Sequence, residues 1–210
     1  MKNIKKIISA GLVLSMSLSM AGCMGGGKLA SKKLAASAKK YGCEKFDDVD
    51  DFVDEMEEDD LEDGIYITVD GSDCKDILKD NDLTEDMYDK SIKNATFVYF
   101  NSEDDGYGAY IMCFTFGSKK DAQDYYDDVV ESIEDIEDEC ADTDSDDGEG
   151  KGVTYFVFEG NAGWYNLAEG IYLSGNNVLV IVGAGLGNDD YNDCIDDVSG
   201  CYDIVLPSDL

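Results

Sequence analysis

The sequence predicts an α+β domain: an antiparallel sheet with helices on one face, in which a strand-strand-helix unit occurs twice. Three observations predict it. Residues 118–140 carry Ala122, Tyr125, Tyr126, Val129, Val130, Ile133, Ile136 and Cys140 at helical spacing, the mark of an amphipathic helix. Paired apolar runs at 95–100 and 109–116, and again at 170–173 and 178–182, are joined by Asp104-Asp105-Gly106 and Asn176-Asn177, residue types that suit tight turns. Each pair then leads into a helix through a similar start, Gly117-Ser118 in one case and Gly187-Asn188 in the other.

In chain order, residues 28–43 form a helix with Ala30, Leu34, Ala38 and Tyr41 on one face and Lys32, Lys33, Lys39 and Lys40 on the other. Residues 47–63 hold twelve acids in seventeen positions, with Val49, Phe52, Val53, Met56 and Leu61 spaced as one helical face. Residues 65–69 alternate as a strand, and Asp70-Gly71 turns the chain. Both faces of 110–116 are apolar, which places that strand inside the sheet. Ser118 with Asp121 gives a Ser-x-x-Asp helix start. Residues 142–152 read as an acidic, glycine-containing loop and 153–158 as a strand, while Tyr191, Cys194, Ile195 and Val198 mark a closing helix that Gly200 stops. The order is loosely similar to a permuted ferredoxin-like arrangement.

Composition excludes several chemistries. The chain has 48 acidic residues against 16 basic ones, all lysine, and no histidine. Without histidine there is no side chain whose ordinary pKa lies near neutrality, no Ser-His-Asp or Cys-His nucleophile pair, and no imidazole ligand for zinc. Without arginine there is no planar two-point clamp for a carboxylate or phosphate. A body this acidic repels a phosphate backbone, so nucleic acid is not a partner. With so many carboxyl groups, a pair of them signals no catalysis by itself.

The N-terminus gives an address. Lys2, Lys5 and Lys6 precede a largely apolar run at residues 7–19, interrupted by Ser9, Ser15, Ser17 and Ser19, and Met20-Ala21-Gly22 leads into Cys23 beside Gly25-Gly26-Gly27. A basic start, a short apolar run and small residues at its end form the grammar of an export signal. Met20-Ala21-Gly22-Cys23 resembles the lipobox of bacterial lipoproteins, with Met20 where leucine is usual. The resemblance implies that residues 1–22 are a signal peptide and that Cys23 receives a diacylglyceryl group and becomes the first residue. Residues 23–28 are then a lipidated cysteine with a short glycine linker, and 29–210 a single acidic domain. Two acyl chains on one residue anchor stably where a single chain is marginal. The chain as a whole resembles acidic lipoproteins of Gram-positive anaerobes, a resemblance that carries no function with it.

The remaining charge is lopsided. Residues 28–45 hold six lysines and one acid, Glu44, whereas 46–210 hold seven lysines and 47 acids. Two roles fit the basic segment: attraction to anionic lipid head groups, at about 1 kcal/mol per nearby lysine, or neutralisation of neighbouring acids. Cys43, Cys74, Cys113, Cys140, Cys194 and Cys201 are even in number in an oxidisable compartment, and spacing does not choose their pairing. Cys194 and Cys201 would lie about 10 Å apart on a continuous helix, so they pair only if Gly200 ends it.

Other motifs are weak. Gly183-Ala184-Gly185-Leu186-Gly187 after an apolar run imitates a dinucleotide-binding turn, but its third glycine comes one place early and Asp189 and Asp190 stand where phosphate would sit. Asp142, Asp144 and Asp146 alternate as in a calcium loop, yet an EF-hand wants glycine at Asp147 and glutamate at Val153. Two Ser-x-x-Lys matches, Ser37 to Lys40 and Ser72 to Lys75, lack the Lys-Thr-Gly that serine acylases add. Trp164 and Tyr165 beside Gly163 suit either a sugar-stacking pair or ordinary core and loop aromatics.

The sequence therefore points to a lipid-anchored protein on the outer side of the cell membrane, a non-catalytic binding or interaction protein with no cofactor. Its expected partners are the membrane, through Cys23, and a cationic peptide or basic protein drawn by charge. A divalent-cation protein, with calcium at Asp142, Asp144 and Asp146, is the alternative, and a carboxylate-based hydrolase the third. Intact-mass spectrometry of the product from its native host is expected to give a chain that begins at Cys23 and carries acyl mass. A species that starts at Met1, or one with an unmodified Cys23 thiol, overturns the anchor.

Overall fold

In a computed structural model, residues 28–58, 60–80 and 91–210 are described; residues 1–27, Cys23 among them, lie outside these. The elements run α1 (Ser31–Tyr41), β1 (Glu44–Phe46), α2 (Val49–Glu55), β2 (Asp60–Asp70), α3 (Gly71–Asp80), β3 (Ile92–Ser102), β4 (Tyr107–Phe116), α4 (Lys119–Glu137), β5 (Ala141–Gly150), β6 (Val153–Ala162), β7 (Tyr165–Ser174), β8 (Asn177–Leu186) and α5 (Tyr191–Ser199). Short 3-10 turns follow at Gly200–Tyr202 and Pro207–Asp209. All eight strands form one sheet in the order β1-β2-β3-β4-β8-β7-β6-β5.

The centre of the sheet is the antiparallel pair β4 and β8, in register from Tyr107 opposite Gly185 to Thr115 opposite Asn177. Side chains alternate along a strand. Tyr110, Met112 and Phe114 therefore point to one side with Val178, Val180 and Val182, while Ala109, Ile111 and Cys113 point to the other with Leu179 and Ile181. Two apolar faces need two covers. Helices α2, α3 and α4 cover the first, and α1, α5 and the C-terminal turns cover the second. The expectation of helices on one face is corrected here, and the cause is the apolar character of both faces of the central strands.

The sheet is mixed, not purely antiparallel, because β1 runs parallel to β2. A parallel neighbour needs a crossover connection, and α2 supplies it. The twofold strand-strand-helix pattern is not a structural repeat. A twofold axis that exchanges the antiparallel strands β4 and β8 stands normal to the sheet and preserves its faces, yet α4 and α5 pack on opposite faces. Residues 142–152, read as a loop, belong largely to β5, an edge strand exposed on both sides. It forms because the outer backbone of β6 needs hydrogen-bond partners. Helix α3 was missed: Asp70-Gly71 reads as a turn, but the Asp70 carboxyl accepts from the backbone N–H of Ser72 at 2.9 Å and caps the helix.

Other local signals hold. The Ser118 hydroxyl accepts from Asp121 N–H at 3.0 Å and caps α4. The start of α1 has no side-chain cap. Long-range bonds hold it instead: the Ser31 hydroxyl lies 2.9 Å from Asn94 Oδ1, and the Tyr202 hydroxyl donates to the Ala30 carbonyl at 3.0 Å. Helices α1 and α5 are antiparallel neighbours, since Lys33 lies beside Cys201 and Tyr41 lines the same groove as Cys194.

The glycines after β8's apolar run serve packing. A Cβ on Gly183 would stand 2.5 Å from Tyr191 and 2.9 Å from Ile195, so the bare backbone lets α5 lie directly on the strand. Replacement Gly183→Ala is expected to lower the urea-unfolding free energy by about 1–3 kcal/mol. Gly150→Ala, with open space around the added carbon, is expected to change it by less than about 0.5 kcal/mol. Equal effects at the two positions would refute the close-approach reading.

Candidate functional site

At the end of the sheet where β2 begins, β3 turns into β4, and α5 starts, the surface is concave. A groove of about 480 Å³ is lined by Tyr41, Glu62, Asp63, Asp105, Tyr107, Asp190, Asp193 and Cys194. A neighbouring hollow of about 420 Å³ shares Glu62 and Asp63 and adds Glu44 and Glu55. Among the described residues no lysine lines either one.

Local structure explains the gathering. The register of β2 against β3 shifts between Leu61 and Ile65, and such a bulge bends the strand and re-aims side chains. Glu62 and Asp63 are exposed within it. Gly64 adopts φ +73° and sits on the Phe100 ring, where a Cβ would stand 2.3 Å from a ring carbon. Phe100 in turn meets Tyr41 edge-on, with centroids 5.5 Å apart. Asp105 comes from the β3–β4 turn. The Ser102 hydroxyl lies 3.2 Å from Glu62 Oε1 and 3.3 Å from Asp105 Oδ2, able to donate to either, and Asn188 Nδ2 donates to the Asp105 carbonyl at 2.6 Å. Asp190 and Asp193 arrive on the first turn of α5.

Two tyrosines floor this acidic wall. Burial, followed by the acids and thiols around it, raises the Tyr107 hydroxyl above its ordinary value, and Tyr41 is raised for the same first reason. Both therefore remain neutral hydrogen-bond donors with aromatic faces, and a face of this kind attracts a cation. Among the described residues no three of the acidic or thiol side chains come close enough together to hold a metal ion. Carboxyl groups spread over several ångströms beside two aromatic faces can attract positive charge.

A third, smaller hollow of about 210 Å³ lies at the opposite end, between Lys151, Val153, Tyr155 and the C-terminal turns. Lys151 there pairs with Asp203, its Nζ lying 2.5 Å from Oδ2.

The positions singled out by sequence fall elsewhere. Cys23 lies outside the described residues. Asp142, Asp144 and Asp146 stand on β5, whose ladder is irregular between Ala141 and Asp144 with Asp142 at φ +52°; the Asp146 carboxyl accepts from the Tyr155 hydroxyl at 2.8 Å, and among the described residues no three acids come close enough together to hold a metal ion. They do not converge as a calcium loop requires. Trp164 occupies the β6–β7 hairpin tip and is 82% exposed, so it is a loop aromatic and not part of the core. Gly183 and Gly185 lie within β8 rather than in a phosphate-binding loop.

Sequence reasoning missed Glu169. It stands opposite Phe158 and Val182 on the face that α4 covers, 3% exposed, with no hydrogen-bond or ion-pair partner among the described residues. Burial pushes its carboxyl up to about 8, so it is mostly neutral at pH 7. The apolar alternation of β7, which places position 169 on the core side, was the available signal.

No protein-family model matches the chain, and no curated protein sequence matches it. Among solved structures the chain is similar to the crystal structure of the extracellular domain of PknH from Mycobacterium tuberculosis. The two are 11% identical with a TM-score of 0.43, over 85% of this chain and 97% of that one. At that distance the likeness bears on neither function nor location. Among the described residues no helix is long and apolar enough to cross a membrane.

Glu169 yields a signed pH dependence. Its folded pKa exceeds the ordinary 4.5, so the folded chain binds a proton that the unfolded chain has lost. Stability from this group is complete below about pH 4.5, falls as pH rises to about 8, and is flat beyond, a span of roughly 3–5 kcal/mol. Urea midpoints from pH 5 to pH 9 are expected to fall more steeply for the natural chain than for Glu169→Gln. Parallel curves for the two would refute a buried proton at this position.

Proposed function

We propose that this chain is a lipid-anchored, non-catalytic protein of the outer membrane face that binds a cationic peptide or a basic protein in the groove at the end of the sheet. One observation carries the reading: Glu62, Asp63, Asp105, Asp190 and Asp193 surround Tyr41 and Tyr107, and among the described residues no basic side chain lines the groove. Such a site attracts positive charge through long-range steering and holds it through aromatic faces and carboxyl acceptors.

The placement of the groove supports the anchor's geometry. Lys28, five residues after Cys23, lies beside Gly152 at the β5–β6 turn. That turn is at the other end of the strands from Asp105 and Asp190, ten residues and about 33 Å away. Five residues span at most about 18 Å. A lipid on Cys23 would thus hold the sheet by its far end and leave the groove directed away from the bilayer. The exposed Lys32, Lys33, Lys39 and Lys40 of α1 lie on the same side of the sheet as α5.

Calorimetric titration of the natural chain with an oligolysine peptide is expected to show saturable binding that weakens as salt rises. The double replacement Asp105→Asn with Asp193→Asn is expected to weaken it about tenfold. Asp144→Asn with Glu149→Gln, on the edge strand, removes equal charge and is expected to leave affinity within about twofold. Equal losses from both pairs would show attraction by net charge alone and overturn the groove.

A further inference from the structure

The six described cysteines are thiols in this structure: Cys43, Cys74, Cys113 and Cys194 are buried, Cys140 is half-buried and Cys201 is exposed. The sheet divides them. Cys74 on α3 and Cys140 just past α4 pack on one face, whereas Cys43, Cys113 and Cys194 lie in the cluster on the other, with Cys201 against α1 there. No bond crosses the sheet. Nor do Cys74 and Cys140 meet: α3 packs on β2 and β3, while Cys140 lies against Gly160 of β6, four strand spacings or about 19 Å from β3.

On the other face the antiparallel pairing of α1 with α5 decides the partners. Tyr41, in the last turn of α1, lines the groove together with Cys194 of α5. Cys43 follows two residues later, after Gly42 turns the chain at φ +125°, and sits in the same buried cluster. Charge on Cys43 would raise the Cys194 thiol, as charge on Cys201 would raise that of Cys113, so the four thiols fall into two neighbouring pairs. At the other end of the helix pair, Cys113 Sγ lies 3.9 Å from the Leu29 carbonyl, ahead of α1, and Cys201 Sγ 3.8 Å from the Lys33 carbonyl, within it.

We propose that Cys43 and Cys194 join in a disulfide that ties the end of α1 to the start of α5 and fixes one wall of the acidic groove. The bond rests on the outer-face location proposed above. Each thiol gives up one proton and one electron as the sulfur–sulfur bond forms. The two electrons reduce the disulfide of a thiol–disulfide oxidant to two thiols, through a mixed disulfide that the second cysteine displaces. Burial pushes both thiols up to about 12 in the folded chain, so few thiolates are present there. The bond therefore forms during folding, as α5, the last helix, docks.

The test is refolding of the natural chain from denaturant with oxidised and reduced glutathione, followed by alkylation, proteolysis and mass spectrometry. A peptide containing Cys43 joined to one containing Cys194 is expected, with Cys74 and Cys140 alkylated. The oxidised chain is expected to melt on the order of 10 °C above the reduced one, and Cys194→Ala is expected to abolish that difference. Cys43 or Cys194 recovered as free thiol, or joined to any other cysteine, overturns the proposal. The same mapping on protein from the native host separates the two readings. A bond formed with glutathione but absent from the host product supports the pairing and overturns the outer-face location.

Discussion

Everything else in this molecule depends on the pairing of β4 with β8. These two strands come from hairpins separated by the whole α4–β5–β6 segment, and their register from Tyr107 to Thr115 is the contact that makes one sheet of both. Neither strand has a solvent side. Because their side chains are apolar above and below, the pair demands cover on both faces, and that demand sends α4 one way and α5 the other. The aromatic packing of Phe114 with Phe97 and Tyr125, at 5.7 Å and 5.6 Å between centroids, belongs to the first cover. The seat of Tyr191 and Ile195 on Gly183 belongs to the second.

The same constraint builds the groove. With α5 fixed on β8, its first turn brings Asp190 and Asp193 to the sheet end where the β3–β4 turn presents Asp105. The bulge in β2 presents Glu62 and Asp63 there as well. The five carboxyl groups face water, which screens one from another. A bound cation would neutralise part of this charge, which is the binding proposed above. Glu169 shows the opposite solution to the same problem: a carboxyl placed in the apolar layer keeps its proton.

Much of the architecture was legible in the residues. The 3.6-residue spacing of Ala122 to Ile133 and the Ser118 cap located α4, and the doubly apolar 110–116 run identified a central strand. The turn at 104–106 and the closing helix were equally plain, since each is set by contacts within a few residues. Helix α3 was hidden because Asp70-Gly71 serves a turn and a helix cap with the same chemistry. Strand β5 was hidden because its acids look like a loop, and only the unpaired edge of β6 draws them into extended form. The groove was illegible altogether, as Glu62, Asp105 and Asp193 are ordinary surface acids in three distant segments.

By itself the sequence determined the charge imbalance, the absence of imidazole and guanidinium chemistry, the lipobox resemblance of Met20-Ala21-Gly22-Cys23 and the strands and helices whose periodicity is local. These follow from residue identity and short-range geometry. The tertiary structure decided the parallel entry of β1, the opposite placement of α4 and α5, the convergence of five acids on two tyrosines and the burial of Cys43 and Cys194 in one cluster. Each of these is a relation between segments far apart in the chain. Such relations are fixed only when both faces of β4 and β8 are buried together.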